Sequence, residues 1–154
     1  VMISSSGFPL TNLEAMKTVM PSLIRRISLL TPNIPEAQFL TGSDTTDASQ
    51  LVRLMSECHP EASILVKGGH SPEGVTDWLY DAKEKNFVSF HGNRVETRNN
   101  HGTGCVLSSA ITAYTAKGLS LTEAVGKAKN FLQQALEKGA DYDAGKGHGG
   151  SFLL

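Results

Sequence analysis

Two short apolar segments joined by an amphipathic helix constrain the fold of this chain more than any other feature. Residues 27–31 and 63–67 each have the length and composition of a buried strand, and proline or glycine follows each of them. Between them, residues 47–58 carry apolar side chains at helical spacing. Because strands that are connected through a helix run parallel, the chain is predicted to form an α/β fold with a mainly parallel central sheet.

Capping residues and apolar periodicity predict three helices in the first part of the chain. Thr11 and Glu14 form a capping box at the start of the first helix. Pro35 and Gly42 begin and end the second helix. Asp47 caps the third helix, and its predicted core face consists of Leu51, Leu54, Met55 and Cys58.

The rest of the chain is predicted to contain an antiparallel meander at the sheet edge and two long helices. Residues 76–81, 87–90 and 94–97 alternate in polarity and are separated by turn signals. Asp77 and Asp81 in the first of these segments are expected to be solvated or in turns. One helix covers residues 103–117, and the other runs from a capping box of Ser120 and Glu123 to Gly139. The glycine-rich residues 145–154 are predicted to form a flexible tail.

Composition places the chain among soluble globular proteins and excludes several classes of partner. Of its 154 residues, 40% are hydrophobic and 19% are charged, which predicts a single domain over residues 1–154. A net charge of −1 without a basic stripe excludes nucleic acid and anionic membranes as partners, and no apolar run is long enough to span a bilayer. The two cysteines form no CxxC pattern, which favours a reducing cytoplasm.

A glycine-flanked turn, residues 99–105, directly precedes the helix predicted over residues 103–117. The N–H groups at a helix N-terminus bind anions such as phosphate, and the same field favours the thiolate form of a cysteine. Gly102 and Gly104 allow a ligand to approach the backbone closely, which favours a functional thiol at Cys105 over a packing residue. The turn therefore predicts phosphoryl chemistry, while His101 is left open between a phosphate donor and a solvated side chain.

Three polar segments are expected at one edge of the sheet, because ligands bind at the carboxyl ends of parallel strands. They are residues 31–33, residues 67–69 and the turn before Cys105. Asn33 and Glu36 either cap a helix or hold Mg²⁺ through water, and both interpretations stay open. Lys67 either reaches a phosphate or extends along the strand end.

The motifs resemble those of the hydroxymethylpyrimidine/phosphomethylpyrimidine kinases of thiamine biosynthesis, which belong to the ribokinase-like superfamily. The similarity covers the chain up to its tail, including the Asp77-Trp78-Leu79-Tyr80-Asp81 strand. Most ribokinase-like kinases have Asp where this chain has Cys105. The motifs that carry the resemblance are Thr31-Pro32-Asn33-Ile34-Pro35-Glu36-Ala37, Val66-Lys67-Gly68-Gly69-His70 and His101-Gly102-Thr103-Gly104-Cys105.

The resemblance implies a three-layer α/β/α fold and a role for each matching residue. ATP would phosphorylate hydroxymethylpyrimidine and then its monophosphate, with Mg²⁺ as cofactor. Cys105 would be the general base, and Asn33 and Glu36 would place Mg²⁺ and phosphate. Lys67 and Gly68 would lie near the ATP phosphates. The anion hole for the transferring phosphoryl group would be formed by Gly102, Thr103, Gly104 and Cys105.

The resemblance also implies that an N-terminal part of the domain, with most of the pyrimidine pocket, is missing. Residues 1–4 resemble a strand that lies midway along the family's chains. Two alternatives stay open: a pyridoxal or related vitamin kinase of the same superfamily, and a nucleotide-binding or inactive fragment of such a kinase. A small-molecule substrate is the expected partner, and association into a homo-oligomer also stays open.

Overall fold

The computed structural model describes residues 2–4, 8–69, 75–97, 99 and 102–140. The chain divides into two compact units, Val1–His91 and Gly92–Leu154. That both units belong to a single domain stays a prediction. The predicted flexible tail lies outside the described residues.

The first unit is built on a four-stranded mixed sheet. Its strands are β1 (Leu29–Leu30), β2 (Ser63–Val66), β3 (Val75–Asp81) and β4 (Asn86–Gly92), in the order β1-β2-β3-β4. β1 pairs with β2 in parallel, and β2 pairs with β3 antiparallel. All four residues of β2 are buried, as expected for a strand inside a sheet. The helical crossover between two parallel strands is therefore confirmed.

Three helices belong to this unit: α1 (Leu13–Ile24), α2 (Ile34–Thr41) and α3 (Ala48–Cys58). α3 follows its Asp47 cap, as predicted, and packs against β2, β3 and α2. Gly42 ends α2 in the left-handed conformation at φ 70°, which glycine adopts without steric cost. The core between α2, α3 and the sheet contains Ala37, Ala48, Leu51, Val52, Met55, Ile64, Val66 and Tyr80.

The second unit contains two helices that pack against each other, α4 (Thr103–Ala116) and α5 (Leu121–Gly139). Ser120 and Glu123 form the predicted capping box at the start of α5. The buried side of α4 includes Leu107 and Ile111, and that of α5 includes Val125. Both helices follow the bounds predicted from capping and periodicity closely.

Three local predictions are wrong. Asn12 rather than Thr11 caps α1, because its side-chain oxygen accepts a hydrogen bond from the Ala15 N–H at 3.1 Å. Cys58 and Leu54, both predicted on the core face of α3, are exposed, because its buried stripe is centred on Leu51, Val52 and Met55. Residues 94–97 form no strand.

Among the described helices, none is long and apolar enough to cross a membrane.

Candidate functional site

Asn33 and Glu36 cap the helix that begins where β1 ends. The Asn33 Oδ1 accepts a hydrogen bond from the Glu36 N–H at 2.8 Å, and the Glu36 Oε2 accepts one from the Asn33 N–H at 3.0 Å. Pro35 lies in the first turn of α2, where no intrahelical N–H bond is lost. The structure shows helix capping by both residues, and their contact to Mg²⁺ through water stays a prediction.

The same two side chains also hold the segment at residues 2–3. The Glu36 Oε1 accepts hydrogen bonds from the N–H groups of Met2 at 2.7 Å and Ile3 at 3.3 Å. The Asn33 Nδ2 donates to the Ile3 carbonyl oxygen at 2.8 Å. Glu36 is only 5% exposed, so these backbone donors compensate for the burial of its carboxylate.

These bonds limit how Glu36 could hold a metal ion. A carboxylate has about four lone-pair sites, and three backbone N–H groups occupy sites on Glu36. Bidentate Mg²⁺ ligation would displace one of these donors, whereas a single contact, direct or through water, can use the remaining lone pair on Oε2. The described residues contain no cluster of three or more acidic, histidine or cysteine side chains that could hold a metal.

Lys67 extends the pairing of β1 and β2 to the edge of the sheet. Its N–H donates to the Pro32 carbonyl oxygen at 2.9 Å, and Lys67 and Asn33 form an isolated parallel bridge. Its ammonium group donates to the Thr31 carbonyl oxygen. The structure therefore brings Asn33, Glu36, Lys67 and the following Gly68 to one edge, as the topology predicted.

The backbone at Gly68 lies against β3 so closely that only glycine fits. A Cβ atom at this position would lie 1.9 Å from the Thr76 carbonyl oxygen. The Gly68 N–H donates to Asp77 Oδ1 at 2.9 Å. Asp77 is 4% exposed, so its prediction as a solvated or turn residue is wrong. Asp77 lies two positions before the buried Leu79 in β3, so both side chains are on the same face of the strand. This spacing is the sequence signal for the burial of Asp77.

The second group of predicted residues lies at the start of α4. Gly102 is the N-cap residue, with φ 81° in the left-handed region, and within the described part of the chain no side chain bonds to cap this end. A Cβ at Gly102 would meet nothing within 4 Å, so backbone conformation rather than space requires glycine. Thr103 and Gly104 are half-buried, and Cys105 in the first turn is exposed.

Asn99 anchors the chain ahead of this turn, a role that the sequence analysis did not assign. It is 6% exposed, and its Nδ2 donates to the Gly139 carbonyl oxygen at 2.7 Å. The Thr97 hydroxyl donates to the Ala140 carbonyl oxygen at 3.3 Å and accepts from the Asn99 N–H at 3.0 Å. The end of α5 therefore supports the entry to α4. His101 lies outside the described residues.

Comparisons with known proteins match this chain to one family. The model of the family described as phosphomethylpyrimidine kinase matches residues 1–151. A hydroxymethylpyrimidine/phosphomethylpyrimidine kinase from Bacillus subtilis is 37% identical over 158 residues, which cover 97% of this chain and 55% of the relative. The chain thus spans about half the length of that relative.

Two solved structures share the fold. A phosphomethylpyrimidine kinase from Clostridium difficile matches with a TM-score of 0.71 and 34% identity, over 88% of this chain and 55% of the other. The Staphylococcus aureus pyridoxal kinase in complex with AMP-PCP and pyridoxal matches with a TM-score of 0.81 and 25% identity, over 94% of this chain and 54% of the other. The α/β fold class predicted from the sequence is confirmed.

Proposed function

The chain belongs to the phosphomethylpyrimidine kinase family, and we propose on that premise that its complete protein phosphorylates hydroxymethylpyrimidine and then its monophosphate. ATP is the phosphoryl donor, and the reaction serves thiamine biosynthesis. The observation that carries the proposal is the amino end of α4. There a left-handed Gly102 precedes an exposed Cys105 in the first helical turn.

The backbone at residues 102–105 supplies the anion hole in this proposal. The first N–H groups of a helix have no intrahelical acceptor, and they carry the positive end of the helix dipole. In phosphoryl transfer, negative charge spreads over the equatorial oxygens of the transferred group, so positioned N–H donors lower the barrier. Gly102, Thr103, Gly104 and Cys105 are the residues that act in this way.

Cys105 is the general base in this proposal. Its thiolate accepts the proton of the substrate hydroxymethyl group while the hydroxyl oxygen attacks the γ-phosphorus, and ADP leaves with the electrons of the broken bond. The exposure of Cys105 supports this role, because a base must contact the substrate.

Lys67 and Gly68 are the proposed residues near the ATP phosphates. The Staphylococcus pyridoxal kinase, which shares the fold, was solved with the ATP analogue AMP-PCP. Mg²⁺ is the proposed companion of the nucleotide, and when bound it would neutralise charge on the phosphate oxygens. Glu36 and Asn33 fit a contact to it through water, since backbone donors occupy most of the Glu36 lone pairs.

Substitution of Cys105 tests the proposal. In the complete protein, Cys105→Ala is expected to lower kcat for the pyrimidine by about 100-fold or more, which is the lower range for the loss of a general base. The KM for ATP and the melting temperature should change little, because the side chain is exposed. Cys58→Ala is the matched control, since Cys58 is also exposed and lies in α3. Unchanged turnover in Cys105→Ala would exclude Cys105 as the base.

A pyridoxal or related vitamin kinase is the second candidate, which the TM-score of 0.81 to a pyridoxal kinase favours. The kcat/KM values of the complete protein for hydroxymethylpyrimidine and for pyridoxal separate the two activities. A higher value for pyridoxal would replace the first proposal.

A third candidate is that this chain alone only binds nucleotide or is inactive, because it spans about half the length of its relative. Parallel assays of this chain and the complete protein distinguish these cases: ordinary turnover by the chain alone excludes the third candidate.

A cytoplasmic location is proposed on the free state of both cysteines. Association into a homo-oligomer stays a prediction.

A further inference from the structure

The turn that follows β2 is shaped by two consecutive residues of β3. The Thr76 carbonyl oxygen occupies the space beside the Gly68 Cα, and the Asp77 carboxylate accepts the Gly68 N–H at 2.9 Å. Gly68 is buried, whereas the next residue, Gly69, is exposed, and no described residue lies within 4 Å of the position of a Cβ there. The backbone therefore passes at Gly69 from a tightly held position to an open one.

We propose that Asp77 is a positioning residue for the nucleotide: it fixes the Gly68 backbone so that the exposed Gly69 is presented to the ATP phosphates. The proposal rests on the proposed kinase function and adds a residue to its nucleotide site. Asp77 acts through Gly68 and does not itself contact the phosphates, since an anion next to an anion would oppose binding. A buried carboxylate is well suited to hold a backbone N–H, because hydrogen bonds to charged acceptors are stronger than neutral ones.

β3 provides a matched control at its other end. Asp81 is also 4% exposed, and its Oδ1 accepts the N–H groups of Lys83 at 3.0 Å and Glu84 at 3.3 Å. Both aspartates thus hold backbone turns from buried positions on one strand. They differ in the turn that they hold, since Asp81 supports the connection between β3 and β4 rather than the turn after Lys67.

The experiment compares Asp77→Ala, Asp77→Asn and Asp81→Ala in the complete protein, by steady-state kinetics and thermal unfolding. Asp77→Ala is expected to raise the KM for ATP about tenfold and to leave the KM for the pyrimidine unchanged, because small displacements of positioning groups have large effects. Asp77→Asn keeps an oxygen that accepts the Gly68 N–H, so a rise of about threefold is expected. Asp81→Ala should lower the melting temperature without changing the KM for ATP.

The outcomes separate this inference from the proposed function. An increase in the KM for ATP in the Asp77 variants, without an increase in Asp81→Ala, supports the positioning role. An unchanged KM for ATP in Asp77→Asn and Asp77→Ala, or the same rise in Asp81→Ala, overturns it. If Asp77→Ala does not fold, the comparison of Asp77→Asn with the unmutated protein decides. If the unmutated protein neither binds ATP nor transfers phosphate, the proposed function is wrong, and this inference is wrong with it.

Discussion

At the carboxyl ends of β1 and β2, polar side chains bind main-chain groups, whereas no described side chain caps the amino end of α4. At the sheet edge, Asn33, Glu36, Lys67 and Asp77 all bond to main-chain groups. At α4, a single glycine in the left-handed conformation begins the helix, and the first-turn thiol is exposed.

The two parts of the proposed phosphate site thus differ in how they are built. Buried side chains that bind main-chain groups hold the backbone in one conformation. Their removal lowers the free energy of unfolding, because the main-chain groups are left without hydrogen-bond partners. Helix N–H groups that lack a side-chain cap remain available to a ligand, and they cost little to maintain at an exposed position. Substitution of Glu36 in the first region should therefore affect stability most, and substitutions at the second region should affect turnover most.

The largest effect on stability is expected from Glu36→Ala. The substitution leaves the N–H groups of Met2, Ile3 and Asn33 without their acceptor, which should cost about 3 kcal/mol of unfolding free energy. Glu36→Gln retains one accepting oxygen and should lose about half as much. Chemical denaturation of the three proteins measures the difference. If Glu36→Ala were as stable as the parent but required more Mg²⁺ for activity, the carboxylate would belong to the metal and the contrast would fail.

A smaller and separable effect is expected from replacing the left-handed glycines at the two ends of α4. Gly102 and Gly118 have φ values of 81° and 88°, and neither has a neighbour within 4 Å of a Cβ position. Ala at either position should cost about 1 kcal/mol of stability. Only Gly102→Ala should also lower kcat, because it changes the backbone at the proposed anion hole. Equal kcat losses in both variants would show that the amino end of α4 has no special role.

The smallest effect is expected at the capped helix α3, which sharpens the contrast with α4. Hydrogen bonds from the Ser49 side chain and, to a smaller extent, from the Ser49 N–H lower the pKa of Asp47 below its ordinary value of 3.8. The charged cap therefore contributes stability above the unfolded pKa, and this contribution is lost as pH falls through the lower, folded value. Asp47→Ala should cost about 0.5 kcal/mol at pH 7, since the group is largely exposed. Denaturation at pH 7 and near pH 3 should show a smaller loss at the lower pH.

The sequence predicted best those features that depend on neighbours within one or two helical turns. The Asp47 cap, the Gly42 stop and the capping box of Ser120 with Glu123 were all predicted correctly, because their partners lie within four positions. The segments at residues 31–33 and 67–69 were also grouped correctly, since parallel pairing brings strand ends together, whereas the place of the turn before Cys105 at the same edge stays a prediction. Their roles at the site stay predictions.

The chain's own residues determined where the helices begin and end, the parallel crossover and a glycine-flanked turn in front of α4. Tertiary structure alone decided that Asp77 accepts a hydrogen bond from the Gly68 N–H. It also decided that Glu36 accepts one from the N–H of Met2, which lies 34 positions away in the sequence. It also decided that Cys58 is exposed, because the position of the buried stripe on α3 depends on how that helix packs against the sheet. Capping is set by adjacent residues, whereas burial and long-range hydrogen bonds depend on which surfaces the completed fold brings together.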